Sequence, residues 1–166
     1  MTMVVGRGRM RFGMLAAAIT IASTGGVAQA PRALPYWASL TAGDALMRSG
    51  PGREYPAQWR YRRVGLPLKV VAVHESWRKV REPDGTEGWM ASVLLTERRT
   101  GMVQGDTVML RAKPATDAAV QWRAAPGVIG RIEKCRAGWC HLDVAGKAGF
   151  VEASRLWGVE LGEVVE

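Results

Sequence analysis

The residues of this sequence best suited to covalent chemistry are two cysteines, Cys135 and Cys140, in a Cys-x4-Cys pattern. If Ala137 and Gly138 form the two-residue turn of a hairpin, the cysteines face each other in a non-hydrogen-bonded pair. Cα atoms in such a pair lie about 4.5 Å apart, inside the range of about 4.4–6.8 Å that a disulfide tolerates. A redox-active pair is the alternative. The spacing predicts a structural disulfide in a chain that folds in an oxidising compartment.

Cys140 and its neighbour His141 also raise the question of a cysteine nucleophile. Successive side chains of a strand point to opposite faces, so the thiol and the imidazole would lie apart. A nucleophile needs a base and an orienting group that converge on it, and the sequence supplies no such set. A structural metal site needs more ligands than the two cysteines, His74 and His141 provide. We therefore expect no catalytic residues, no metal and no cofactor, and we predict that the chain is not an enzyme.

A second group of residues is suited to binding rather than catalysis and lies in the segment Tyr55–Arg63. This segment combines three aromatic residues with three arginines, which could stack on a ligand and pair with its carboxylates. We place it in a long loop between the first two strand regions. The alternative is a loop that folds onto its own domain and leaves its arginines solvated. The candidate ligand-binding residues are Tyr55, Trp59, Tyr61 and Arg62.

The first part of the chain, residues 1–30, has the composition of an export signal. Three arginines precede an apolar stretch from Phe12 to about Ala22, and the small residues Ala28 and Ala30 mark a cleavage site. The stretch is shorter than the about 20 apolar residues that a membrane-spanning helix requires. An uncleaved amphipathic anchor is the alternative. We predict a signal peptide over residues 1–30, no stable membrane insertion after cleavage, and an exported protein of the periplasm or cell envelope.

The charge of the chain bears on the class of its partner. The formal net charge is +8, and charges of both signs are scattered along the sequence. A modest excess of basic groups favours acidic polymers such as a cell-wall glycan or a phospholipid headgroup. An exported protein seldom meets nucleic acid, so we expect no nucleic-acid partner.

The segment after the signal contains two copies of one motif of about sixty residues each. Gly43–Arg48 returns as Gly105–Arg111 with one inserted residue, and later residues recur in the same order. The recurring pairs are Trp59 with Trp122, Trp77 with Trp139, Trp89 with Phe150, and Leu95 with Leu156. We place the first repeat at residues 38–98, the second at 101–157 and an acidic tail, frayed or docked along the second repeat, at 158–166.

Within each repeat the residue pattern is that of short strands. Leu66–Val73 and Gly127–Ile132 are rich in aliphatic and β-branched residues, and Trp77–Arg81 alternates apolar with polar positions. Asp84-Gly85 predicts a two-residue hairpin turn, and Ala91–Leu95, like its counterpart in the second repeat, predicts one 3₁₀ turn. About five strands per repeat make a small closed barrel. We therefore predict an all-β protein of two tandem barrels.

The aromatic residues have two possible roles. The chain has seven tryptophans, and Trp77, Trp89, Trp139 and Phe150 occupy matched positions in the two repeats. Because the match suits a shared scaffold, we expect these four side chains to pack inside the barrels. Contact with a ligand is the alternative.

The first repeat carries its short motifs in a characteristic order. These motifs are Arg48-Ser49-Gly50-Pro51-Gly52, Tyr55-Pro56, Gly65-Leu66-Pro67, Trp77-Arg78-Lys79-Val80, Asp84-Gly85 and Gly88-Trp89. This order resembles that of the bacterial SH3 (SH3b) family, especially the tandem kind in exported proteobacterial proteins. The resemblance covers about Leu40 to Leu156. It is looser in the second repeat, where Ala112-Lys113-Pro114-Ala115 replaces the glycine-rich turn and Phe150 replaces a tryptophan.

This resemblance implies two SH3-like β-barrels, each with a short 3₁₀ turn and without catalytic residues. It also implies attachment to cell-wall peptide or to a partner protein, with the recognition surface in the loop that contains Tyr55–Arg63. We therefore predict a non-catalytic exported protein that attaches to peptidoglycan peptide or glycan through its first barrel. The alternative is a protein-interaction adaptor for an envelope enzyme or assembly.

Overall fold

The computed structural model describes residues 32–166 and, before them, residue 2 alone. The predicted signal peptide, residues 1–30, lies outside the described residues apart from that one position. Residues Arg32–Glu166 form one compact unit of short strands and two 3₁₀ turns. Within this range no helix is long and apolar enough to cross a membrane.

The strands form two antiparallel sheets, one for each repeat. The first contains β1 (Tyr36–Leu40), β2 (Ala45–Arg48), β3 (Ala57–Tyr61), β4 (Pro67–His74), β5 (Trp77–Arg81), β6 (Glu87–Ala91) and β7 (Leu95–Thr96). The second contains β8 (Thr100–Val103), β9 (Val108–Arg111), β10 (Val120–Ala124), β11 (Ile129–Arg136), β12 (Trp139–Val144), β13 (Lys147–Glu152) and β14 (Leu156–Trp157). The 3₁₀ turns are Ser92–Leu94 and Ala153–Arg155.

Both sheets have the same strand order, which confirms the predicted all-β fold of two tandem barrels. The order is β3-β2-β6-β5-β4-β1-β7 in the first repeat and β10-β9-β13-β12-β11-β8-β14 in the second. Each sheet has seven strands instead of the expected five or so. The additional strands lack a sequence signal because β7 and β14 have two residues each. The 3₁₀ turns lie where the sequence predicts them.

The segment Tyr55–Arg63 is not the long loop that we expected. Residues Ala57–Tyr61 form β3, the outer strand of the first sheet, which pairs only with β2. Its first four side chains are all exposed. A strand that buries almost nothing has no alternation of apolar and polar residues, and this explains why the pattern does not reveal it.

The prediction of a two-residue turn at Asp84-Gly85 is also wrong. Only Gly85 has a positive φ, 88°, and the Gly85 amide donates to the Glu82 carbonyl at 3.0 Å. This is a type I turn with Pro83 at its second position, followed by a left-handed glycine. In the second barrel the equivalent hairpin turns at Ala145-Gly146, where both residues have positive φ angles, 51° and 85°.

Aliphatic and methionine side chains, rather than aromatic rings, fill the two barrel interiors. The first core includes Met47, Leu68, Val70, Val80 and Met90, and the second has an equivalent set around Leu110 and Leu142. The expectation that the matched aromatics pack inside is therefore wrong. Trp77 and Trp89 alternate with buried Val80 and Met90, so they lie on the outer face of the sheet. The same alternation places Trp139 and Phe150 outside the second barrel.

The predicted disulfide joins Cys135 of β11 to Cys140 of β12, with Cα atoms 4.0 Å apart. The two residues are direct partners in the strand register. Ala137 and Gly138 form the expected turn, with φ angles of 51° and 80°. Both cysteines lie in the core of the second barrel. The equivalent pair in the first barrel is Val73 and Arg78, which also face each other.

Two buried hydroxyl groups join the barrels. Ser39 Oγ lies 2.6 Å from Thr100 Oγ1, Thr100 Oγ1 lies 2.7 Å from the Gly65 carbonyl, and Ser39 Oγ lies 2.8 Å from the Arg98 carbonyl. The two hydroxyls have only two protons for these three contacts. At any moment two of the three contacts therefore hold a proton: each hydroxyl donates to its own carbonyl, or one hydroxyl donates to the other, which donates to its carbonyl.

Apolar contacts and the C-terminal tail complete the junction. Met102 and Ile129 of the second barrel pack against the first core. The Trp157 ring packs edge-on against Trp37 with centroids 4.8 Å apart, and its Nε1 donates to the Pro67 carbonyl at 3.1 Å. The tail does not fray. It docks on both barrels, because Glu160 pairs with Lys69 at 2.6 Å and Glu163 with Arg99 at 2.5 Å.

We predict that the Cys135→Ala, Cys140→Ala double variant unfolds at a lower denaturant concentration than wild type. The bridge closes a short loop, so its loss should lower the free energy of unfolding by about 2 kcal/mol. Denaturant unfolding with and without reductant measures this, and reduced wild type should approach the double variant. An unchanged midpoint under all four conditions would contradict a stabilising role.

We predict that Thr100→Val destabilises both barrels together. The valine removes the hydroxyl that donates to the Gly65 carbonyl and contacts Ser39, and the loss of such a buried hydrogen-bond partner costs about 1–3 kcal/mol. The control is Thr107→Val, since Thr107 is exposed. Denaturant unfolding followed by tryptophan fluorescence should show one shifted transition for Thr100→Val and none for the control. Two separate transitions in wild type would show that the barrels unfold independently.

We predict that docking of the tail weakens in acid. The hydrogen bonds from Arg99 lower the pKa of Glu163 below its ordinary value. A group whose pKa is lower in the folded state contributes stability above its unfolded pKa, and this is lost as pH falls through the folded pKa. Unfolding measured from about pH 6 to about pH 2 should show a smaller loss for Glu163→Gln than for wild type. Glu97→Gln, which removes a more exposed carboxylate, is the control and should retain the wild-type slope.

Candidate functional site

An arginine at the end of a strand holds the loop that follows it in each barrel. Arg48 donates from Nη1 to the Tyr55 carbonyl at 2.7 Å, and Arg111 donates to the Ala118 carbonyl at 2.6 Å. Both contacts span seven residues. The arginine that recurs in the two repeats is therefore explained by loop structure, because it closes the loop by the same contact in both copies.

The loop of the first barrel folds tightly because Gly50 has no side chain. A Cβ atom at that position would overlap the ring of Tyr55. Tyr55 thus lies against its own loop and is 41% exposed. The glycine-rich motif shapes this loop, and the loop in turn carries Arg53 beside the outer face of the sheet.

The outer face of the first barrel has an open groove, here called the Trp77 groove, which is lined by Asp44, Leu46, Arg48, Arg53, Trp77, Ala91, Val93 and Leu94. The Asp44 carboxylate is bonded by Arg60. Trp77 and Ala91 are direct partners on β5 and β6 and form its floor. The loop supplies Arg53 on one side, and the 3₁₀ turn supplies Val93, which is 81% exposed, on the other. The volume is about 340 Å³. Among residues 32–166 the Arg53 guanidinium has no hydrogen-bond or ion-pair partner.

This arrangement can hold a ligand that has both an apolar face and an anionic group. The indole of Trp77 offers a flat apolar surface, and Arg53 can donate two parallel hydrogen bonds to a carboxylate. Sequence reasoning placed Trp77 inside the barrel. The signal that could have placed it outside is its spacing from Lys79 and Arg81, which lie on the same face of β5.

The second barrel has the equivalent groove around Trp139, which is smaller. It is formed by Met109, Arg111, Trp139, Glu152 and Arg155, and its volume is about 150 Å³. Arg111 is engaged with its loop, and Arg155 contacts Asp106. The Trp139 groove therefore has a similar indole floor but a smaller volume. Within residues 32–166 it has no free guanidinium at the position that corresponds to Arg53.

The four residues predicted to bind ligand do not form one site. Trp59 pairs with Met47 in the register of β2 and β3 and is 58% exposed. Tyr61 lies on the same face, but its hydroxyl donates to Glu82, and burial together with this bond raises the pKa of Tyr61. Arg62 is exposed and lies near Asp44, where it helps Arg60 to lower the pKa of that carboxyl.

Trp59 nevertheless differs from its counterpart in a way that favours recognition by the first barrel. In the second barrel Lys147 lies over the ring of Trp122, 5.3 Å from its centroid. Among the described residues no cation lies over Trp59. Because its ring is uncovered, Trp59 offers a second aromatic surface, on the outer strand β3.

The histidines and cysteines do not form a catalytic arrangement within residues 32–166. The cysteines are joined to each other, and His141 Nδ1 lies 2.8 Å from Glu133. His74 is exposed and lies edge-on to Trp89. In this range no three His, Cys, Asp or Glu side chains are placed to hold a metal ion.

Several known proteins are similar to this chain. YrvJ of Bacillus subtilis strain 168, which is named as an N-acetylmuramoyl-L-alanine amidase, is 26% identical over an alignment of 131 residues, and the match covers 68% of this chain and 25% of YrvJ. The chain thus spans about a quarter of the length of this curated relative. NlpC2 from Trichomonas vaginalis is 12% identical with a TM-score of 0.34, covering 74% of this chain and 48% of NlpC2. An NlpC/P60 family protein from Bacillus cereus ATCC 10987 is 12% identical with a TM-score of 0.33, covering 73% and 55%. Structural likenesses of this size carry no argument.

The family comparison agrees with the internal repeat. The profile described as bacterial SH3 domain matches residues 42–97 and again residues 104–158. Each match contains one glycine- or proline-bearing loop, one groove and one 3₁₀ turn, and together they cover more than half of the chain. The resemblance found in the sequence is confirmed, and this chain belongs to the bacterial SH3 domain family as two tandem copies.

Proposed function

We propose that this chain is a non-catalytic exported protein that attaches to cell-wall peptidoglycan through its first SH3 barrel. The observation that carries this proposal is the Trp77 groove, which combines an indole floor with the unpaired guanidinium of Arg53. A peptidoglycan strand offers the matching chemistry, because sugar rings have apolar faces and stem peptides carry carboxylates.

The relationship to YrvJ supports this choice of ligand. The name of that protein refers to the bond between a muramic acid sugar and a peptide, the junction found in peptidoglycan. A tandem SH3 chain that spans only part of such a protein fits a binding role beside a separate catalytic part. The disulfide between Cys135 and Cys140 fits export to an oxidising compartment.

A protein-interaction adaptor for an envelope enzyme or assembly is the second candidate. The observation that favours it is β3, an exposed outer strand whose free edge faces away from β2. Such an edge can accept an extended peptide as an added strand.

We predict that the purified exported protein sediments with purified peptidoglycan and that Trp77→Ala and Arg53→Ala each weaken binding by about tenfold. The matched control is Trp139→Ala, which removes the equivalent indole from the second barrel and should retain most of the affinity. A Trp59→Ala, Arg62→Ala double variant tests the site predicted from the sequence. Raised salt should weaken wild-type binding, because an arginine-carboxylate pair contributes to it.

The outcomes separate the alternatives. Equal losses for Trp77→Ala and Trp139→Ala would contradict recognition by the first barrel alone. A loss only in the Trp59 and Arg62 double variant would move the site to β3. Failure of wild type to sediment would overturn wall binding and favour the adaptor. Release of soluble fragments from the wall by wild-type protein would contradict the non-catalytic role.

A further inference from the structure

The C-terminal tail fills a strand-docking position on the second barrel. The Cys135 amide donates to the Val165 carbonyl at 2.9 Å, and the Val165 amide donates to the Cys135 carbonyl at 3.1 Å. These reciprocal bonds are those of a short antiparallel pair. Val165 also packs against the second core, and Cys135 is only 2% exposed. The chain itself therefore shows how this barrel edge holds an extended peptide.

The equivalent position of the first barrel is open within residues 32–166. Val73 faces Arg78 on the neighbouring strand as Cys135 faces Cys140. The amide and carbonyl groups of Val73 therefore point away from β5. In the second barrel, Val165 lies on the side that corresponds to this direction. Pairing with β1 ends at Val70, and Val73 is 48% exposed. Before β1, the side chain of Arg32 pairs with Glu97 at 3.0 Å.

The surroundings of Val73 define the chemistry of a fitting peptide. Val73 and the ring of Tyr36 offer an apolar surface at this end of the barrel. The guanidinium of Arg78 donates to the Tyr36 hydroxyl at 3.2 Å, and that of Arg32 lies 4.6 Å above the Tyr36 ring. Glu75 is the acidic residue nearest in sequence, and Arg78 bonds its carbonyl rather than its carboxylate. Arg78 thus supplies positive charge beside an apolar patch, while the charge of Arg32 is paired with Glu97.

We propose that the edge of β4 at Val73 binds an extended acidic segment of a partner protein as an added strand, in the way the second barrel binds its own tail. The segment has an apolar residue flanked by carboxylates, like Glu163–Glu166. A second copy of this chain is not the occupant, because its tail would have to give up equivalent contacts at its own Cys135. The site is separate from the Trp77 groove and rests on the adaptor role, not on wall binding.

The test uses a labelled peptide with the sequence of residues 159–166 as probe and fluorescence anisotropy with the purified exported protein as readout. Wild type should bind it, and Val73→Pro, which removes one of the two backbone bonds, should weaken binding by about tenfold. Val73→Glu, which leaves the backbone intact and repels the peptide, should weaken it similarly. The matched control is Val73→Thr, which retains both the backbone bonds and the preference for a strand. Unfolding midpoints confirm that each variant folds.

Each other outcome overturns the proposal. Equal binding by wild type, Val73→Pro and Val73→Glu would show that the probe exchanges with the tail on the second barrel. No binding by wild type would show that the edge is not a docking site. Self-association of wild type that the probe reverses would make a second copy the occupant. Val73→Glu should sediment with peptidoglycan as wild type does. Failure of the peptide-docking proposal at Val73 is therefore distinguishable from failure of wall binding.

Discussion

Aliphatic and methionine side chains fill the interiors of the two barrels, and much of this structure follows from that filling. Strand alternation allows one side chain in two to point inward. Here the inward positions of β5 and β6 hold residues such as Val80 and Met90. Trp77 and Trp89 therefore lie outside, where they cover the sheet only partly. The flat apolar surfaces that a binding protein needs are thus a consequence of how the core is filled.

The small size of each barrel explains why the first is not sealed by its own residues alone. The first core is completed by Met102 and Ile129 of the second barrel. The junction then needs its polar groups matched, which Ser39 and Thr100 achieve by sharing two protons among three contacts. The second barrel is closed at its other end by the disulfide and by Val165. The apolar contacts across the junction, the disulfide and the docked tail therefore each compensate for the small apolar area that a barrel of this size buries.

The sequence predicts features that depend on local spacing and misses those that depend on tertiary placement. The repeat, the tandem barrels, the 3₁₀ turns and the partner of Cys135 all follow from residue order. The type of the turn at Asp84 is an exception, because its cause is local: Pro83 is well suited to the second position of a type I turn. Strand β3 escapes prediction because it buries almost nothing. Tyr61 looked like a ligand residue, yet its hydroxyl is engaged by Glu82, which lies 21 positions further along the chain.

Duplication provides an internal comparison that separates structural from recognition roles. Arg48 and Arg111 make the same loop contact, so their recurrence reports a requirement of the fold. Surfaces that are covered in one barrel and open in the other do not report such a requirement of the fold. Lys147 covers Trp122 and Val165 covers the edge at Cys135, while the counterparts in the first barrel stay exposed. Since both copies fold by the same rules, an open position in the first barrel is not needed for stability and is free to bind. The second barrel also completes the first, since its Met102 and Ile129 pack against the first core.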